Sequence, residues 1–249
     1  MILTSKNNPL IKETATLKDK KGRKQTGLFL VEGVKMFREC LQSDFEIERV
    51  FVAEDYTDVL PIEESKTVRV SNDVFRFLSD EKTPQGVLCR VKIPKLALDF
   101  PTAPCLILDG VADPGNIGAI IRTANASGYK AIYLTEGCAD PYSPKSVRAS
   151  MSGVFFTKLY LATRAEIVSL LQDVPVIVAD MGGENVFRFT APERFALVIG
   201  NEANGISEEM RFMAKYTVKI PMEQTQESLN AAVSAGILMY QLKKESFFN

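Results

Sequence analysis

The chain has 249 residues, 46% of them apolar, with 30 Lys and Arg against 31 Asp and Glu and no histidine at all. That length fits one large domain or two modest ones with a real core, and a formal net charge of -1 excludes an overall basic field for nucleic acid. Without histidine there is no Ser-His-Asp or Cys-His relay and no imidazole base, so any chemistry falls to Arg, Lys, carboxylates, hydroxyls, amides or a cofactor.

The chain opens on a basic stretch. Lys6, Lys12, Lys18, Lys20, Lys21, Arg23 and Lys24 face only Glu13 and Asp19, which reads either as an arm for RNA phosphates or as a solvated helix face. Strand signals then recur at Leu28–Val31, Ile47–Val52, Val68–Val70 and Val87–Val91. Helical stretches at about Gly33–Leu41 and Asp73–Leu78 alternate with them. Such alternation argues for a small α/β unit over residues 28–93, set off from the arm at 1–27. Residues 94–104 hold three prolines and no period, and read as a linker.

Beyond the linker, over 105–249, short apolar strands are predicted at Cys105–Leu108, Ala131–Leu134, Val176–Ala179, Ala196–Ile199 and Thr217–Ile220. Helices are predicted near 116–127, 144–152, 164–172, 207–213 and 229–243. Strands of this kind are buried on both faces, so a largely parallel sheet under helices is expected. The scattered Cys40, Cys89, Cys105 and Cys138 make no C-x-x-C pair. They read as buried thiols in a reducing compartment, with no metal site. No apolar run resembles a signal peptide, and the stretch from Ala231 to Tyr240 falls well short of the ~20 residues that span a membrane. The expectation is a cytoplasmic protein.

In open α/β sheets ligands gather beyond the carboxyl ends of the strands. Three loops there are unusual. The first, Asp109 to Gly118, leads into a helix in which Gly115, Gly118 and Arg122 share a stripe. That stripe is either a bare surface under a cation or a helix capped by Asp113 whose glycines permit close packing. The second loop reads Gly200-Asn201-Glu202-Ala203-Asn204-Gly205-Ile206-Ser207, and the third runs from Pro221 to Asn230. Gly200 and Gly205 also suit a plain turn, with Ser207 or Ser228 as helix caps. Together, however, the loops gather amide, hydroxyl, carboxylate and guanidinium groups at one sheet edge.

The order Asn116-x-Gly118-x-x-x-Arg122-Thr123-Ala124, then Gly200-Asn201-Glu202-x-x-Gly205-Ile206-Ser207, then Ile220-Pro221-Met222 followed by Ser228-Leu229-Asn230 resembles the three signature motifs of SpoU (TrmH-like) RNA methyltransferases, a branch of the SPOUT superfamily. Asp140 to Gly153 is similar to a further family segment, with Met151-Ser152 where the family usually has Met-Gly. Residues 28–91 resemble, more weakly, the L30e-like substrate-binding domain carried in front of many members.

The resemblance implies an α/β sheet closed by a trefoil knot, a homodimer, and S-adenosylmethionine as the donor of a methyl group to a ribose 2′-hydroxyl of RNA, rRNA before tRNA. It implies Arg122 as the catalytic arginine, with Asn116, Glu202, Ser228 and Asn230 as its partners. Since guanidinium stays protonated, an electrostatic role for Arg122 at the 2′-oxygen fits better than proton removal, with Glu202, Ser228 or Asn116 holding its fork. Met181, Gly200, Ile220, Met222 and Leu229 are the cofactor candidates, and Met181-Gly182-Gly183 would allow close approach. Arg148 with Lys18, Lys20, Lys21, Arg23 and Lys24 are the RNA candidates. Two other readings stand beside this one. A non-catalytic RNA-binding protein would keep the fold, and a nicotinamide-dependent oxidoreductase would use the first Gly-rich turn, although no G-x-G-x-x-G is present.

Overall fold

The computed structural model describes residues 2–223, 225 and 228–247. Gln224, Gln226 and Glu227 of the third loop, and Met1 at the start of the basic stretch, lie outside them.

The first unit contains β1 (Ile2–Leu3), α1 (Pro9–Thr16), α2 (Lys20–Thr26), β2 (Leu28–Glu32), α3 (Val34–Leu41), β3 (Ile47–Ala53), β4 (Thr67–Val70), α4 (Asn72–Leu78) and β5 (Val87–Lys92). Its sheet runs β1-β4-β3-β5-β2. β1, β4 and β3 are parallel, and β5 is antiparallel to both of its neighbours. The basic stretch is part of this unit rather than an arm. β1 joins the sheet, and Ile11 and Leu17 are fully buried in its core beside Val74 and Leu78 of α4. The charge of residues 6–24 hid an apolar face, since Leu10, Ile11 and Leu17 recur at helical spacing among the lysines.

The second unit contains β6 (Cys105–Asp109), α5 (Pro114–Ala126), β7 (Ala131–Leu134), α6 (Pro144–Ser150), α7 (Gly153–Phe156), β8 (Lys158–Leu161), α8 (Arg164–Leu170), β9 (Val176–Asn185), β10 (Ala196–Gly200), α9 (Glu208–Phe212), β11 (Ala214–Lys219) and α10 (Ala231–Leu242). Its sheet is parallel throughout, in the order β11-β9-β10-β6-β7-β8. The apolar runs Leu106–Leu108 and Leu197–Ile199 fill its centre, with none of these residues more than 4% exposed. β8 escaped the sequence reading because Lys158-Leu159-Tyr160-Leu161 is a four-residue alternation rather than an apolar run.

Residues 94–104 carry no regular structure, yet the two units pack directly on one another. A single core cluster runs through both. Phe29 of β2 packs on Tyr142 at 5.0 Å between ring centroids, and Phe45 on Phe155 at 5.5 Å. Buried Arg23 of α2 reaches across to Asp140 at 2.7 Å. Cys40, Cys89 and Cys105 are buried, and burial pushes the thiols of Cys40 and Cys105 up to about 12. No described helix is long and apolar enough to cross a membrane.

Candidate active site

The site is built where β6, β10 and β11 deliver their loops. Asp113 caps α5, its Oδ1 accepting from the Asn116 N–H at 2.9 Å, and Pro114 occupies the first turn, where no N–H is needed. Lys145 pairs with the other carboxylate oxygen at 2.9 Å. That lysine, followed by the Asn116 N–H, holds the Asp113 carboxyl below the usual carboxylate range.

The second loop leaves β10 at Gly200 and closes on itself through Asn201 N to Gly205 O (2.8 Å) and Gly205 N to Asn201 O (2.9 Å). Glycine at 200 is required by this closure. A Cβ there would lie 2.4 Å from the Gly205 carbonyl carbon. Ser207 precedes α9, but its hydroxyl caps nothing. On the third loop the cap of α10 is Asn230, not Ser228: Asn230 Oδ1 accepts from Ala232 N at 2.9 Å and Val233 N at 3.2 Å.

One side-chain network joins the three loops. Glu202 Oε1 accepts from Asn116 Nδ2 at 2.8 Å, and Glu202 Oε2 accepts from the Ala112 N–H at 3.1 Å. Asn116 Oδ1 in turn accepts from Asn230 Nδ2 at 3.0 Å. Burial of Glu202 works against its charge. The donors Asn116, Ala112 and Asp113 outweigh that cost and hold the carboxyl below its ordinary range.

Behind this network lies a cavity of about 550 Å³. Met181, Gly200, Ile220, Met222 and Leu229 are in its wall, as are Glu202, Ser228 and Asn230. Asp180, Asn201, Ser234 and Leu238 also line it, and the sequence reading missed them. Asn230, Ser234 and Leu238 follow one another at four-residue spacing on α10, a periodicity that would have found two of them. Gly182 is exposed, and Gly183 serves strand packing instead. A Cβ at Gly183 would sit 2.6 Å from the Val218 carbonyl carbon of β11, so the glycine allows a strand to approach, not a ligand.

Arg122 stands apart. It is exposed and lies outside the cavity wall, and its guanidinium forms no hydrogen bond or ion pair with the described residues. Glu202, Asn116 and Asn230 bind one another rather than its guanidinium. The bare stripe is absent too, because Gly118 is buried under α6, where a Cβ would lie 2.5 Å from both Ala149 Cβ and Ser146 O. α6 thus fills the space in which the first Gly-rich turn would have cradled a pyrophosphate. The turn after α6 falls at Met151, a non-glycine residue at φ +49°.

Of the RNA candidates, Lys20, Lys21 and Lys24 are exposed on α2. The others are spent on structure. Lys18 Nζ donates to the carbonyls of Phe77 and Ser79, Arg23 is 3% exposed and paired with Asp140, and Arg148 bridges the units to Asp80 at 2.9 Å and Glu81 at 3.5 Å. Among the described residues no cluster of three or more carboxylates and thiols is placed to hold a metal ion.

The cavity suits S-adenosylmethionine. Its volume falls within the range of small-molecule sites, and it sets apolar Ile220, Met222, Leu229 and Leu238 beside a glycine backbone, a serine and an asparagine. Residues 103–240 match the family model described as the SpoU rRNA Methylase family, and residues 8–89 match the MRM3-like substrate binding domain. The chain is 30% identical over 247 residues to the 23S rRNA (guanosine(2553)-2'-O)-methyltransferase RlmP of Bacillus subtilis, covering 97% of this chain and 98% of that one. Among solved structures it is similar to the AdoMet-bound rRNA methyltransferase of Sinorhizobium meliloti, with TM-score 0.89 and 26% identity over 98% of both chains. It is also similar to the SpoU methyltransferase AviRb of Streptomyces viridochromogenes in complex with AdoMet, with TM-score 0.88 and 26% identity over 97% of this chain and 99% of that one. With both parts of its length so matched, the chain belongs to the SpoU rRNA methylase family, with an MRM3-like substrate-binding domain in front.

Proposed function

We propose that the protein transfers a methyl group from S-adenosylmethionine to a ribose 2′-hydroxyl of ribosomal RNA. The observation that carries this reading is the Glu202–Asn116–Asn230 network, which draws the three motif loops around one cavity. When bound, the cofactor supplies an electrophilic methyl on a sulfonium, and the reaction needs only in-line placement and stabilisation of the acceptor oxygen.

Gly200, Ile220, Met222 and Leu229 hold the cofactor, and Met181 borders it. Asn116, Glu202, Ser228 and Asn230 fix the shape of the cavity mouth. Arg122 supplies its charge to the 2′-oxygen as the hydroxyl proton passes to water, and the ribose enters between that mouth and the face of α5 that carries the arginine. Lys20, Lys21 and Lys24 take RNA phosphates. We further read the chain as a cytoplasmic homodimer with the family's knot. α10 supports the dimer, since Ala231 to Leu242 is apolar on nearly every side and leaves Val233 51% and Tyr240 45% exposed.

The test is incubation with methyl-labelled cofactor and ribosomal RNA, followed by mapping of 2′-O-methyl ribose, with tRNA as a parallel substrate. Label on one rRNA ribose is expected. RNA binding without any transfer would replace this reading with that of a non-catalytic RNA-binding protein.

A further inference from the structure

A buried ion pair lies beneath the site and takes no part in the network above it. Asp109 ends β6, is 1% exposed, and stands in register beside Gly200 of β10, which lines the cavity. Its two carboxylate oxygens do different work. Oδ1 accepts from Arg164 Nε at 2.7 Å and from Thr135 Oγ1 at 3.3 Å, while Oδ2 accepts from the Ser207 N–H at 2.7 Å.

Ser207 is the last residue of the second loop, and its hydroxyl is buried with no partner among the described residues. The loop is therefore anchored at this end through its backbone N–H to Asp109. At the other end Asn201 Nδ2 donates to the Gly110 carbonyl at 2.7 Å, one residue beyond Asp109. A single anion at the end of β6 thus sits between both feet of the loop.

Among the described residues Arg164 is the one cation within ion-pair reach of Asp109. It comes from α8, whose residues do not line the cavity. It is itself held firmly. Glu136 accepts from its N–H at 2.9 Å, and α8 begins with a capping box in which Thr163 and Glu166 satisfy one another's backbone. Removing one partner of such a pair leaves an uncompensated buried charge, and the groups hydrogen-bonded to it must shift.

Resting on the methyl-transfer reading above, we infer that Arg164 is a positioning residue for the cofactor: it keeps Asp109 in the geometry that anchors the Gly200–Ser207 loop, and thereby sets cofactor affinity from outside the cavity. Arg164→Gln removes the charge and keeps much of the length. Calorimetry with S-adenosylmethionine on the full chain, with a thermal melt to confirm folding, reads affinity without turnover. Methyl transfer at saturating cofactor then reads kcat and the KM for RNA.

The expected result is a cofactor dissociation constant raised at least tenfold, with kcat and the KM for RNA within threefold of the parent. A folded Arg164→Gln with parental cofactor affinity overturns the inference. Should that variant fail to fold, Arg164→Lys decides, since it keeps the charge and loses the Nε donor. Affinity weakened two- to tenfold at unchanged kcat supports the role, and parental affinity overturns it, leaving the pair a folding element. A parental protein that binds no S-adenosylmethionine would overturn the methyl-transfer reading itself, an outcome distinct from a parent that binds and a variant that binds equally.

Discussion

Glu202 and Asn116, 86 residues apart, meet at 2.8 Å; Glu202 also accepts from the Ala112 N–H of the first loop, and Asn116 reaches Asn230 of the third. A glutamate between two donors cannot be replaced by glutamine without loss, because the amide has one accepting oxygen where the carboxylate has two. Either the Ala112 N–H or the Asn116 amide then loses its partner. Both bonds are exposed, so water replaces the lost partner and the cost is that of one hydrogen bond, about 0.5–1.5 kcal/mol, or roughly two- to tenfold in cofactor affinity. Glu202→Gln is expected to fall in that range by calorimetry, and Glu202→Ala below it. Parental affinity in both would remove the network from the binding site.

The same carboxylate predicts a pH dependence. Its folded-state pKa lies below the unfolded one, so the stability it contributes is complete above the ordinary carboxylate value near 4.5 and is lost as pH falls through the lower folded value. Thermal melts of the parent and of Glu202→Gln should differ most at neutral pH and converge as the pH is taken below the ordinary carboxylate range. A gap that stays constant with pH would exclude ionisation of Glu202 as its source.

Arg122→Lys keeps a cation on α5 and discards the planar fork. With Arg122 outside the cavity wall, cofactor affinity should be unchanged within about twofold. Turnover should fall by the ~10²–10³ that loss of one oxyanion donor costs. Methyl-label transfer and calorimetry on the same preparation separate the two, and parental turnover would take the role away from Arg122.

Much of this was legible in the sequence because it rests on local chemistry. Asp113-Pro114 announces a helix start, and the apolar runs at Leu106–Leu108 and Leu197–Ile199 announce central strands. What was not legible depends on what a residue meets. Gly118 read as bare surface until α6 covered it, and Arg23 read as a phosphate ligand until Asp140, 117 residues later, claimed it. Arg164 carried no signal because its partner, Asp109, reads as the end of an ordinary strand. A charge count cannot distinguish a lysine in water from an arginine in a core.

Two glycines predict opposite phenotypes. Gly118→Ala drives a methyl group into α6, 2.5 Å from Ala149 Cβ and Ser146 O, and should destabilise the fold by ~1–3 kcal/mol, read as a lowered denaturant midpoint at unchanged slope. Gly200→Ala acts at a loop neck beside the cavity, where a Cβ would lie 2.4 Å from the Gly205 carbonyl carbon. Its main effect should be lost cofactor binding in a protein that still melts cooperatively. If both variants lost only stability, the second loop would not be part of the cofactor site.

The basic stretch of residues 6–24 divides into two groups that mutation should tell apart. Lys20, Lys21 and Lys24 are exposed, whereas Arg23 is buried against Asp140 and donates to the carbonyls of Leu17 and Lys18 as well. Changing the three lysines to alanine should leave the melt in place, weaken RNA binding, and flatten the dependence of log affinity on log salt by roughly one for each phosphate no longer neutralised. Arg23→Ala strands a half-buried Asp140 at the junction of the two units and should cost about 3–5 kcal/mol of stability. Because it withdraws no exposed charge, the salt slope of the protein that remains folded should match the parent. A triple lysine variant with an unchanged slope would mean that this face of α2 is only solvated, and that RNA is held elsewhere.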